Sequence, residues 1–135
     1  MKVRSFMTHF SLSDASRELI QSVFVEMMEN CNGITALVVS TVDGHALIAQ
    51  HSETIDESRM AAMTSSLLAI AESLAKEARQ NICKHIIVQN SDGVIVTQRL
   101  GKSLVLTSIA GHNTNLGMLH NVTRAGVEKI ISRHK

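Results

Sequence analysis

The amino-acid sequence predicts an α/β domain of the α+β type, one small antiparallel sheet with helices packed on both of its faces. Three observations predict it. Helical and strand periods follow one another as α-β-β-α-β-β-β-α. Two strand-like runs, Ile34–Thr41 and residues 103–110, are apolar at both odd and even positions, so each needs cover on both faces. Three helical segments, one of them long, supply that cover. The two-faced runs therefore belong side by side at the sheet centre. The long middle helix covers one face, and the first and last helices cover the other.

The elements follow in order. Residues 1–12 show no clear period and read as an arm before a single domain at 13–135. Ser11-x-x-Asp14 forms a capping pattern, with Ser13 a competing N-cap, ahead of Leu19, Ile20, Val23, Phe24, Met27 and Met28 at helical spacing. Asn32-Gly33 is expected to end that helix in a left-handed conformation. The first strand turns at Asp43-Gly44 into a second at 46–50. Thr54-x-x-Glu57 reads as a capping box for a long helix over residues 56–79. Its stripe of Met60, Met63, Leu67, Ile70, Ala71, Leu74 and Ala78 is assigned to the sheet. Strands at 84–90, 94–100 and 103–110 follow, separated by Asp92-Gly93 and Gly101-Lys102. After residues 111–115 a last helix carries Leu116, Leu119, Thr123, Val127 and Ile130 on one side.

Composition excludes several functions. A chain of 135 residues is long enough for one core and no more. With 44% hydrophobic residues, 19% charged and a net charge of +1, it lacks the basic excess that nucleic-acid binding needs. Its three aromatics, Phe6, Phe10 and Phe24, make no platform for stacking bases. No apolar run approaches a membrane span of ~20 residues, and no apolar stretch follows Lys2 and Arg4 to make a signal peptide. Cys31 and Cys83 read as reduced thiols, and the expected location is cytoplasmic.

Some apparent motifs dissolve on inspection. Gly101-Lys102-Ser103 resembles the end of a phosphate loop, but Val96 stands where the motif needs glycine, and a strand follows instead of a helix. The spacings of His45, His51, His85, His112 and His120 lack the short ligand pairs of a structural zinc site, so no metal or cofactor is expected. Cys83 and His85, alternate residues on a strand, stand about 7 Å apart, too far for direct proton transfer. No third group completes a catalytic set. Asn121-Val122-Thr123 matches a glycosylation acceptor but falls inside a helix.

The middle helix is the informative segment. From Met60 to Ala71 it carries no charge over three turns, and opposite the stripe assigned to the sheet lie Ala62, Ser65, Ser66, Ala69 and Ser73. Solvated helix faces ordinarily carry Lys, Glu and Arg, so this face of small uncharged residues is expected to be covered by another protein surface.

The element order, the Asp43-Gly44 and Asp92-Gly93 turns, Asp56-Glu57-Ser58-Arg59-Met60-Ala61-Ala62 with Leu67-Leu68-Ala69-Ile70-Ala71, and Asn115-Leu116-Gly117-Met118-Leu119 together resemble the Roadblock family, the dynein light chain and MglB-like group. The resemblance runs from about Asp14 to Ile131. It implies a profilin-like fold with a five-stranded antiparallel sheet in the order 2-1-5-4-3, one long helix on one face and two on the other. It also implies a homodimer joined through the third strand (His85, Ile87, Gln89) and the Ala62/Ser65/Ser66/Ala69/Ser73 face. The implied role is regulation of a small Ras-like GTPase through the partner's own active site, with no catalytic residue in this chain. The alternative is a scaffold or adaptor subunit in a signalling or motility complex.

Overall fold

The computed structural model describes residues 12–52 and 54–133. Apart from Leu12, which packs against the core, the expected N-terminal arm lies outside the described residues.

Helix α1 spans Asp14–Asn30, and Ser13 is its N-cap, the hydroxyl accepting from the Ser16 amide at 3.1 Å. Its far end differs from expectation. The chain leaves the helix through Cys31 in an extended conformation, and Gly33 does not adopt a positive φ. Gly33 is needed for room: a Cβ there would sit 1.8 Å from Thr114 Oγ1.

Strand β1 (Ile34–Thr41) turns through residues 42–45 into β2 (Ala46–His51). The Thr41 hydroxyl closes this turn, donating to the Asp43 carboxylate and accepting from the His45 amide. Gly44 takes φ +104° in it, where Ala62 and Ser65 pass close by.

Helix α2 spans Glu57–Glu77. Its N-cap is Asp56, accepting from the Arg59 amide at 3.1 Å, in place of the expected Thr54 box. The Glu57 carboxylate does not fold back on the helix start but meets His51 Nε2 at 3.0 Å, tying the helix to β2. The helix ends in a Schellman motif, with the Gln80 amide on the Ala75 carbonyl and the Arg79 amide on that of Lys76. The left-handed position is filled by Arg79 at φ +60° instead of glycine.

Strands β3 (His85–Asn90), β4 (Gly93–Leu100) and β5 (Leu104–Gly111) form the expected meander. Gly93 stands in a ladder position where a Cβ would come 2.3 Å from the Ala110 carbonyl. The Gly101-Lys102-Ser103 segment is a hairpin turn with Gly101 at φ +76° and Leu100 opposite Leu104. Helix α3 (Leu116–Arg133) starts at Asn115, whose side chain accepts from the Met118 amide.

The sheet order is β2-β1-β5-β4-β3, all antiparallel, with the two-faced strands β1 and β5 paired at the centre. Helices α1 and α3 cover one face and enclose the main core, where Ile20, Phe24, Met27, Leu37, Val39, Val96, Leu106 and Leu119 are almost fully buried. Thr123 of α3 lies within hydrogen-bond distance of both Ser108 of β5 (2.9 Å) and the Leu119 carbonyl (2.8 Å), which satisfies the polar groups buried there.

Helix α2 covers the other face, lying chiefly over β1 and β2. Here the structure corrects the sequence reading. The residues turned to the sheet are Ala61, Thr64 and Leu68, while Met63, Ile70 and Leu74 are 63%, 65% and 68% exposed. Polar ties set this roll of the helix: Ser65 donates to the Val42 carbonyl at 2.7 Å, and Glu72 accepts from Arg99 of β4 at 2.9 Å. With small residues in contact the helix sits close to the sheet, and its large apolar side chains point outward.

Arg79 in the left-handed region costs on the order of 1 kcal/mol that glycine would not incur. Arg79→Gly is therefore expected to raise stability by up to about 1 kcal/mol, less the extra freedom glycine gives the unfolded chain. Urea denaturation with an unchanged slope measures it. A clear loss of stability would show that the Arg79 side chain itself holds the helix end.

Candidate protein-docking surface

The solvent side of α2 is one continuous stripe. Met63, Ile70 and Leu74 recur at i, i+7 and i+11 and form an apolar ridge. Ala62, Ser66, Ala69 and Ser73 run beside it and are exposed, as the sequence reading expects. Ser65 differs: it is half-buried on the sheet side, its hydroxyl engaged by the Val42 carbonyl. No charge interrupts the stripe between Arg59 and Glu72. A small-residue row beside an apolar ridge lets another backbone approach closely while burying large side chains.

Strand β3 is the second part of the surface. It lies at the end of the sheet and pairs only with β4 among the described residues. The opposite edge, β2, is partly capped by Arg17, whose guanidinium donates to the Leu47 carbonyl at 3.2 Å. On β3 the comparable contact is the weak Cys83 thiol, 3.5 Å from the His85 carbonyl. An edge of six residues without proline or bulge offers unpaired backbone groups to another strand.

The register divides the β3 side chains. His85, Ile87 and Gln89 lie opposite Gln98, Val96 and Val94 and so share the face covered by α1 and α3. Ile86 and Val88 lie opposite Thr97 and Ile95, on the α2 face. The two groups of residues expected to form one interface thus occupy opposite faces of the sheet, joined only through the β3 backbone. Continuity between α2 and β3 comes from other residues: Ala71 and Leu74, which the sequence reading assigns to the sheet, line a groove of about 510 Å³ with Ala75, Ile82 and Ile86 that runs from the helix to the strand. Ile82 is 68% exposed in it. The available signal was an excess of apolar residues on α2, too many for one sheet-facing side.

The side chains nearest β3 show how this region titrates. Burial, then Glu72, push the Cys83 thiol up against the opposing pull of Arg99. Cys83 lines the groove beside Leu74 and Ala75, and the His85 ring lies 4.2 Å from that of His120 on α3. Burial, then the neighbouring His120 and Lys84, hold His85 below its ordinary pKa. A histidine with a lower pKa folded than unfolded binds fewer protons in the native state across that interval. Stability therefore falls as pH drops through about 6.5 toward the native value. Urea denaturation between pH 7.5 and 5 is expected to show this loss, and His85→Asn to flatten it. An unchanged pH slope in the variant would remove His85 as its source.

Comparison with known proteins bears on the fold and the family. No curated protein sequence matches the chain. Among solved structures, "MglB with tetrameric arrangement" superposes with TM-score 0.84 at 15% identity, covering 90% of this chain and 92% of that one. MglB of Myxococcus xanthus gives 0.77 at 18% identity, covering 84% and 92%. Profilin IB of Acanthamoeba castellanii gives 0.58 at 11%, covering 77% and 90%, which places the fold in the profilin-like class. Residues 20–110 match the Roadblock/LC7 domain, a span from the middle of α1 to the end of β5, and the chain belongs to the Roadblock/LC7 family.

Proposed function

We propose that this protein is a homodimeric regulator of a small Ras-like GTPase, acting in the cytoplasm without catalytic groups of its own. The observation that carries the reading is the exposed, uncharged stripe of α2, with Met63, Ile70 and Leu74 more than three-fifths exposed beside the open β3 edge. Family membership and the likeness to MglB structures support it. Antiparallel pairing of β3 with its copy would continue the sheet across both subunits and satisfy the open edge. In that arrangement the groove holding Leu74 and Ile82 lies next to the junction and is covered by the second subunit. The N-terminal half of the stripe, with Ala62, Met63, Ser66 and Ala69, stays available for the GTPase. Ser73 falls toward the subunit junction.

Two variants separate these roles. Leu74→Arg places an unpaired charge in the junction groove, and desolvating it there costs several kcal/mol. Light scattering at micromolar concentration is expected to show a dimer for the parent and a monomer for this variant, with unchanged circular dichroism. Met63→Arg is expected to remain dimeric but to lose both binding to the GTPase and the change in phosphate release the parent produces. A monomeric parent defeats the dimer assignment. A parent that alters no Ras-like GTPase but captures other proteins regardless of nucleotide favours the scaffold role instead.

A further inference from the structure

The pairing of His85 with His120 is not used by the docking surface, and its surroundings point to a ligand. The rings come from two elements, β3 and α3, and their centroids are 4.2 Å apart at an interplanar angle of 45°. Gln98 of β4 lies directly opposite His85 on the same face, where cross-strand side chains stand about 5 Å apart at Cβ. Its Oε1 is buried and has no hydrogen-bond partner. A buried amide oxygen without a donor from the protein is costly and uncommon in native structures. The two imidazole rings and Gln98 thus belong to three elements that meet at one end of β3.

We propose that His85, His120 and Gln98 form a site for a borderline divalent transition metal of the zinc, nickel or copper class. Imidazole favours these ions, whereas magnesium and calcium require a set of oxygen ligands that is missing here. Among the described residues no group of three His, Cys, Asp or Glu side chains converges, so the site uses two imidazoles, the amide oxygen and water. Two rings sharing a tetrahedral ion at ~2.0–2.1 Å have centroids about 5 Å apart, so the pair opens by roughly 1 Å through side-chain rotation. His85 is exposed and His120 half-buried, which gives the ion an entry path. The bound ion would clamp α3 to the edge strand. This inference is independent of the GTPase reading.

The test uses the untagged full chain titrated with zinc chloride, nickel chloride and magnesium chloride at pH 7.5 in a non-coordinating buffer. Calorimetry and the imidazole resonances of the NMR spectrum are the readouts. Zinc and nickel are expected to bind one per chain at micromolar concentration, to shift both His85 and His120 resonances, and to be released at pH 5.5. Magnesium is expected to produce no shift. His85→Ala and His120→Ala should each weaken zinc binding at least tenfold, Gln98→Ala should weaken it less, and His112→Ala should leave it unchanged. Because His85 and His120 lie outside the core, circular dichroism should stay native in these variants. A variant that fails to fold is replaced by reading the same imidazole resonances in the parent. No binding up to millimolar zinc overturns the proposal. So does binding that survives either histidine variant, or shifts confined to other histidines.

Discussion

The structure depends on a sheet whose two central strands are apolar on both faces. Strands β1 and β5 place Leu37, Val39 and Leu106 on one side and Ala36, Val38 and Val105 on the other, all nearly fully buried. An isolated sheet of this kind would expose a large apolar area at about 25 cal/mol per Å². The helices therefore have to arrive on both sides, and everything else in the molecule follows from how well each side is covered. Helices α1 and α3 together span their face and close the core around Phe24. A single helix cannot span five strands. Helix α2 lies chiefly over β1 and β2 and is tied to β4 by Glu72 and Arg99, which leaves the β3 side of its face thinly covered.

That incomplete cover, more than any single residue, leaves an apolar surface open on the α2 side. The polar ties of α2 fix the helix on small side chains: Ser65 to Val42, Glu57 to His51, Glu72 to Arg99. Rotating Met63, Ile70 and Leu74 onto the sheet would break all three and force the helix away from β1. The local hydrogen bonds thus decide that the larger hydrophobic groups remain outside, where burying them requires a second protein surface. An arrangement of this kind gives up intramolecular burial and retains it for association.

The fold was legible in the sequence to a large extent because its determinants are local or bulk properties. Asp43-Gly44 and Asp92-Gly93 mark chain reversals by backbone chemistry, Asn115 caps α3 through its own side chain, and two-faced apolar runs locate the sheet centre without any knowledge of partners. What escaped was whatever depends on distant residues. The roll of α2 follows from Val42 and Arg99, neither of which is visible in the helix periodicity, so Met63, Ile70 and Leu74 were assigned to the sheet and Ser65 to the open face. Thr54-x-x-Glu57 matched a capping box, yet Glu57 found a better partner in His51 across the β2 end. Gly33 was read as a left-handed helix stop, whereas its need is space beside Thr114, eighty-one residues further along the chain.

The same distinction applies to the histidines, whose spacing along the chain does not say which rings meet in space. Short ligand pairs report only sites built within one element. His85 and His120 meet because β3 lies at the sheet edge under the first half of α3, and Gln98 joins them because antiparallel register sets it opposite His85. Strand β3 consequently has different chemistry in each direction. Its backbone edge is open to a further strand, its α2 face opens into an apolar groove, and its α3 face carries imidazoles beside an unpaired amide oxygen. A residue change on one of these faces need not disturb the others. The β-strand alternation that keeps His85 and Ile86 apart thus separates the apolar groove on the α2 side from the imidazoles beneath α3.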